Sequence, residues 1–395
     1  MVTKKKSEYK KARLAVALFF FFQGAIFATW ASNIPYIKGI HNLSDAALGA
    51  ILFTIPIGQV CTMALAGWLT SRLGSKPTLR IGALLSPLSL IPIAIAPNIT
   101  ILCISLLSMG VASNIFNISV NTQGVNIEQK YNKNIMPTLH GMWSLGNFFG
   151  ALVSLVFGIY SINTLHHFII INIFVIILAT IFQQYLVNED FSSKKENKAI
   201  KEENSVKSGS IFKRIDKYIL LLGTMACLAL ITEGTMYDWG GIFFLDIVKI
   251  AENQIKLGYI VCMCTMTIGR FTANIIINKY GNTFVLQLSG ALITIGMMIA
   301  VISPTIIFAT IGFGIVGLGI ASTVPICYSL AGKSTSLSPA FALSTVSTLG
   351  YLGLLAGPPI IGFISEAITL RWTFGLVAII GIVIAVIPTY TKSNL

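Results

Sequence analysis

Apolar runs too long for a soluble core set the limits on this chain. Twelve stretches of about 20 residues or more are divided six and six by one charged segment at 188–214. At about 1.5 Å per residue, each can cross a hydrocarbon layer about 30 Å thick. The runs read 14–37, 46–70, 77–96, 99–125, 137–160 and 165–187, then 215–247, 255–279, 283–302, 305–330, 338–364 and 370–390. With 55% hydrophobic and 10% charged residues and a mean hydropathy of +0.81, there is too little polar surface to solvate a globule of 395 residues. The expected fold class is an all-α membrane protein of twelve transmembrane helices. These form two six-helix halves, 1–187 and 215–395, joined by the linker 188–214.

A formal charge of +13 raises the question of nucleic acid, and its placement answers it. Lys4, Lys5, Lys6, Lys10, Lys11 and Arg13 precede the first run, Arg72, Lys76 and Arg80 follow the second, and seven more cations lie in the linker. If every run crosses, all of these fall on one side, and the positive-inside rule puts both termini and the linker in the cytoplasm. The opposite loops are short and nearly uncharged. No aromatic and basic interleaving points to RNA or DNA.

The basic start followed by the apolar 14–28 resembles a secretory leader. Trp30, Asn33 and Pro35 extend the run without a small-residue cleavage pattern, so it is expected to stay as the first span. The six cysteines, Cys61, Cys103, Cys227, Cys262, Cys264 and Cys327, all lie within spans at spacings that fit neither a disulfide framework nor a metal site. They read as small buried residues.

The two halves echo one another. Gly67, Ser71, Arg72, Gly74 and Lys76 follow span 2, and Asn274, Asn278, Lys279 and Gly281 follow span 8; each set places a polar residue and a cation shortly before a turn glycine. Gly146 and Gly150 in span 5 match Gly353 and Gly357 in span 11, a spacing that permits close helix approach. Six plus six with internal echoes suggests parallel repeats about an axis along the membrane normal.

On these residues the chain resembles the major facilitator superfamily over its whole length. The resemblance implies that Gly67, Ser71, Arg72 and Gly74 belong to a loop that latches the halves on the cytoplasmic side. Ser71 stands where the family pattern has aspartate, and the matching Asn278 is also neutral. Finer motifs are similar to a bacterial subgroup that includes the rhizopine (MosC-like) permease: Trp30 to Pro35, Asn121 to Val125, His140 to Gly146, Glu233 to Trp239, and Gly350 to Gly353 with Gly357, Pro358 and Pro359. Asn117 departs from the aspartate expected in relatives. The resemblance implies a secondary transporter of the bacterial cytoplasmic membrane.

Chemistry is expected where polar groups interrupt apolar spans, because an ionised side chain at mid-bilayer costs about 2.5–3.5 kcal/mol on insertion scales. Span 7 carries Glu233 and Asp238 with Tyr237 between them. The functional reading gives Glu233 a proton in one facing state and removes it in the other; the structural one makes it a paired acid that locks span 7 to a neighbour. Arg270 is expected about 12 Å inside the cytoplasmic end, where it snorkels or holds carbonyls at a gate. Asn114, Asn117 and Asn121 share one helix face, as do His140, Ser144 and Asn147. With Trp30 and Asn33 in span 1 and Tyr351 in span 11, these stripes suggest either interhelical bonds or a hydrated central cavity. The cavity would bind a polar, multiply hydroxylated or amide-bearing solute, with Trp30 and Tyr351 as stacking faces. His140 is either a helix-end hydrogen-bonder or a proton relay.

No Gly-x-x-x-x-Gly-Lys nucleotide loop occurs, and neither His-Glu-x-x-His nor Gly-x-Ser-x-Gly, so ATP drive and intramembrane hydrolysis lack their motifs. Uptake of a small polar metabolite with protons leads, with drug or metabolite export and a transport-inactive sensor as alternatives. The expected partners are a small solute, protons and the lipid bilayer. No cofactor is expected. Each half can cover the other, so a monomer suffices.

Overall fold

The computed structural model describes residues 2–131, 135–188, 216–251, 254–334 and 339–390. The linker at 188–214, with its seven cations, falls almost wholly outside them. All regular structure among the described residues is helical. The early helices are α1 (Val2–Ala31), α2 (Ile34–Ile40), α3 (Asp45–Leu52), α4 (Thr54–Leu73), α5 (Ser75–Leu88), α6 (Leu90–Ala94), α7 (Ile99–Tyr131), α8 (Met136–Ile159) and α9 (Thr164–Phe182). The later ones are α10 (Lys217–Asp238), α11 (Leu257–Ile302), α12 (Ile306–Ala331), α13 (Pro339–Ile368) and α14 (Leu370–Tyr390).

Eleven helical stretches among the described residues are long and apolar enough to cross a membrane. One of them, α11, has 46 residues and is broken at Gly281 (φ 81°, ψ 167°). Its arms of roughly 24 and 21 residues are about 36 and 32 Å long, so each spans on its own. This break accounts for the two sequence runs 255–279 and 283–302. Gly74, between α4 and α5, has the matching conformation (φ 92°, ψ 158°), which a residue with a Cβ adopts only under strain. The two turn glycines picked out by internal echo therefore share one backbone geometry.

Sequence signals explain most helix ends. Pro35 sits in the first turn of α2, where its missing N–H costs nothing. Ser44 caps α3 by accepting from the Ala47 amide at 3.2 Å, and Asn163 caps α9 through the amides of Leu165 and His166. α10 stops at Asp238, two residues before the pair Gly240 and Gly241. The chain then continues as a single turn (Gly240–Ile242) and a π-helix (Phe243–Val248).

Glycine spacing sets the packing partners. α8 lies on α1 and α13 on α10. A Cβ on Gly146 would stand 2.8 Å from the Phe21 carbonyl carbon, and one on its echo Gly353 would stand 2.9 Å from the Cys227 carbonyl carbon. A Cβ on Gly150 would stand 2.7 Å from the Ala25 carbonyl oxygen, whereas one on Gly357 would meet only the Ile231 Cα at 3.9 Å. Gly146 and Gly353 thus make equivalent backbone contacts in the two halves of the sequence, and Gly150 and Gly357 do not. The outward surface carries many exposed large apolar side chains, among them Ile104, Ile173, Phe308, Ile311, Trp372 and Ile379. A belt of that extent suits hydrocarbon and not water.

Candidate functional site

The later helices meet the early ones along one seam. Call the side carrying Gly74 and Gly281 the near face, and the side carrying the hairpin after Ala31 the far face. At mid-depth on the seam, Arg270 of α11 donates from Nη2 to Glu233 Oε1 of α10 at 3.0 Å and from Nη1 to Ser144 Oγ of α8. The Tyr237 hydroxyl, one helical turn beyond Glu233, donates to the same carboxylate oxygen. The guanidinium lies over the Trp143 ring at 5.8 Å. Side-chain exposure is 7% for Glu233 and 16% for Arg270, so the pair is largely out of solvent.

Aromatic rings close the cluster toward the far face. Tyr237 packs edge-on against Phe27, Trp143 and Tyr259, with ring centroids 5.2, 6.2 and 6.0 Å apart. The Tyr259 hydroxyl donates to Asn147 Oδ1 at 3.2 Å, a second hydrogen bond between α11 and α8. Nearer the near face, Tyr351 of α13 hydrogen-bonds to Asn117 of α7, and Asn121 donates to the Asn117 side chain at 2.8 Å. His140, one turn before Ser144, is exposed, with its ring 5.4 Å from Phe20.

Of the residues picked from sequence, the structure gathers Glu233, Tyr237, Arg270, Ser144 and Asn147 into one cluster, with Asn117, Asn121, Tyr351 and His140 beside it. Arg270 is not a snorkelling residue at the near-face gate. Its long side chain reaches the carboxylate of the neighbouring helix, and pairing satisfies a buried cation better than reaching for distant solvent. Asp238 is half-buried and forms no ion pair among the described residues.

Three nominees lie elsewhere. Asn114 is spent on α4, donating to the Gln59 carbonyl at 2.9 Å and to Thr62 Oγ1 at 3.3 Å, so it joins helices and does not face a solute. Trp30 is 1% exposed within the apolar core and offers no stacking face in this conformation. Asn33 is buried toward the far face, bonded to the Thr29 carbonyl at 2.7 Å and to Ser154 Oγ at 3.3 Å. In the near-face loop, Arg72 lies over the Trp68 ring at 5.6 Å and is exposed, and nothing stands within 4 Å of a Cβ placed on Gly67.

The far face is closed by contacts that sequence reading missed. Lys38 Nζ bridges Asp45 Oδ1 and Asp246 Oδ2, each at 2.7 Å, and so ties the first hairpin to the segment after α10. Ser365 donates to Asp45, and the Ala46 amide to Glu366 Oε2 at 3.3 Å. Beneath them Gly49 meets the backbone of Pro359 and Gly362. The buried Lys256 ammonium donates to the Ser154 carbonyl at 2.8 Å. Among the described residues, no ion pair joins early and late helices at the near face. The signal for this seal was the rarity of charge in the far-face loops, where Lys38, Asp45 and Asp246 form ion pairs while Arg371 and Lys256 donate to backbone carbonyls.

The Major Facilitator Superfamily family model matches residues 15–338 and again 243–393. Membrane protein MosC of Rhizobium meliloti is 30% identical over 375 residues, covering 94% of this chain and 88% of that protein. An uncharacterised MFS-type transporter of Yersinia pestis is 29% identical over 377 residues, covering 94% of each chain. Among solved structures, the nucleoside transporter NupG superposes with a TM-score of 0.74 at 16% identity, covering 96% of this chain and 99% of that one. A bacterial homologue of the human lysosomal transporter Spinster, inward-facing and unoccupied, superposes at 0.75 with 12% identity over 98% and 97% of the two chains. A multi-pass helical fold and full-length matches in both sequence and shape lead to one assignment: the chain belongs to the major facilitator superfamily of membrane transporters.

Proposed function

We propose that this chain is a secondary transporter that moves a small polar organic solute by alternating access, with proton binding at Glu233 coupled to solute binding. The observation that carries the reading is the buried Glu233–Arg270 pair, which links α10 and α11 to Ser144 of α8 across the seam. A structural ion pair could sit anywhere in the core. This one lies where the two six-helix groups must separate if they rock.

The elements support a simple cycle. The closed far face and the lack of near-face ion pairs among the described residues suit a state open toward the termini, which the charge distribution assigns to the cytoplasm. A proton on Glu233 removes its charge and weakens its hold on Arg270, and with it the link from α11 to Ser144. Tyr351, Asn117, Asn121 and His140 offer hydroxyl, amide and imidazole groups beside that switch, which suits a solute rich in hydrogen-bonding groups. Asp238 lies about one and a half turns further toward the far face and is a second candidate for proton passage. In this reading Gly67, Ser71, Arg72 and Gly74 meet the later helices when the near face closes.

A thermal-shift screen of purified protein against sugars, inositols, amino acids and cationic drugs at pH 5.5 and 7.5 tests this reading. A ligand that prefers the folded state raises apparent stability by mass action. Stabilisation by a polar solute that changes with pH is expected. Stabilisation by apolar cations alone would point to export of drug-like compounds, and binding without flux in proteoliposomes would point to a sensor.

A further inference from the structure

The coupling element has a charge balance that restricts what kind of solute can complete it. Arg270 cannot shed its proton within any ordinary pH range. Its Nη2 is held by Glu233 and its Nη1 by Ser144, while its Nε is buried and has no hydrogen-bond partner. The titratable groups around the pair are Tyr237 on α10, Tyr259 and Cys262 on α11, Tyr328 on α12 and His140 on α8. None of these is an anion at neutral pH. Asp238 makes no ion pair with Arg270 among the described residues, and Lys256 is engaged by Ser154.

If Glu233 takes a proton, its carboxylate becomes a neutral acid and the Glu233–Arg270 pair is lost. A fixed positive charge then remains in a site closed by aromatic rings. A neutral sugar or polyol supplies dipoles but no charge, so it leaves that cost standing. A carboxylate or similar anion on the solute removes it, and guanidinium forks match such groups in shape as well as charge. The other nearby side chains on the near-face side, Ser144, His140, Asn117 and Tyr351, all carry hydrogen-bond donors.

We infer that Arg270 is the counter-ion for an anionic group on the transported solute, and that Glu233 holds this position only until it is protonated. The inference rests on the transport reading above and narrows it to solutes bearing a carboxylate or a comparable monoanion. Proton and solute then bind as a neutral sum: one proton on Glu233 is balanced by one negative charge on Arg270. Each favours the other because either alone leaves an unpaired charge. Coupling follows from this balance without any further device.

Chemical rescue tests this without knowing the solute. Glu233→Gln fixes the protonated charge state, and thermal unfolding is followed at pH 7.5 with acetate or with its neutral isostere acetamide, at constant ionic strength set with chloride. Glu233→Gln is expected to unfold at a lower temperature than the parent, with acetate restoring at least half of the loss in a saturable manner. Acetamide should restore none, and acetate should leave the parent and Arg270→Gln unmoved. An equal response of Glu233→Gln to acetate, acetamide and chloride would overturn the inference.

If Glu233→Gln does not fold, the parent protein is read at pH 5 and pH 8 with methanesulfonate against dimethyl sulfone. Stabilisation by the sulfonate at pH 5 alone is expected, and identical effects of the two compounds would overturn the proposal. Rescue without flux of any solute in proteoliposomes would refute the transport reading and leave the anion site standing. Driven flux of a neutral solute without rescue would do the reverse.

Discussion

Removing either partner of the central pair should destabilise the protein, but only one of the two deficits should respond to acid. Breaking a buried pair by deleting one member costs about 3–5 kcal/mol, because the other charge stays behind. At about 2.1 cal/mol/K per residue, 395 residues carry an unfolding entropy of about 0.8 kcal/mol/K, so this corresponds to about 4–6 °C in Tm. In Glu233→Gln the stranded group is Arg270, which stays charged, so the deficit should persist from pH 8 to pH 5. In Arg270→Met the stranded group is the Glu233 carboxyl, which takes up a proton as the pH falls and becomes neutral. Its deficit should therefore shrink as the pH is lowered, whereas that of Glu233→Gln should not. Differential scanning fluorimetry of both variants in detergent, referenced to the parent at each pH, gives the comparison. Parallel pH profiles, or deficits below about 1 kcal/mol at pH 8, a value typical of an exposed pair, would refute the claim that these charges are buried against each other.

Three further outcomes follow from the packing. Gly150→Val should cost about 1–3 kcal/mol, since its Cβ meets the Ala25 backbone, whereas Gly67→Ala enters open space and should leave Tm unchanged; the two Tm values check this. Asn114→Ala should lower stability by about 0.6–1.7 kcal/mol while sparing solute affinity. Asn117→Ala combined with Asn121→Ala should do the reverse, as thermal shift and binding titrations together would show.

Much of the fold was legible because a bilayer simplifies the code. Span length, six-plus-six grouping and cation placement need no knowledge of side-chain contacts. The Gly74 and Gly281 turns and the Gly150 and Gly353 contacts were readable because only glycine fits those positions. The site was half legible. Spacing put Asn114, Asn117 and Asn121 on one stripe, yet it could not show that Asn114 turns to Gln59 and Thr62 while Asn117 turns to Tyr351. Arg270 was assigned to a gate because depth was counted along one straight helix; the reach of the side chain and the neighbouring helix decide its partner instead. Trp143 lay inside a quoted motif without a role, since stacking under a guanidinium depends on α8 and α11 being neighbours. Lys38 and Asp246 are 208 residues apart in sequence, so their pairing at the far face is a property of the assembled fold.

The most direct test of the account is solute accumulation in proteoliposomes under an imposed proton gradient, using the solute that the thermal screen identifies. The parent protein should concentrate it and collapse to equilibrium when the gradient is dissipated. Glu233→Gln should retain exchange of labelled for unlabelled solute while losing concentrative uptake. Gradient-driven accumulation by Glu233→Gln at the parental level would contradict a proton-carrying role for Glu233 and, with it, the coupling mechanism proposed for this chain.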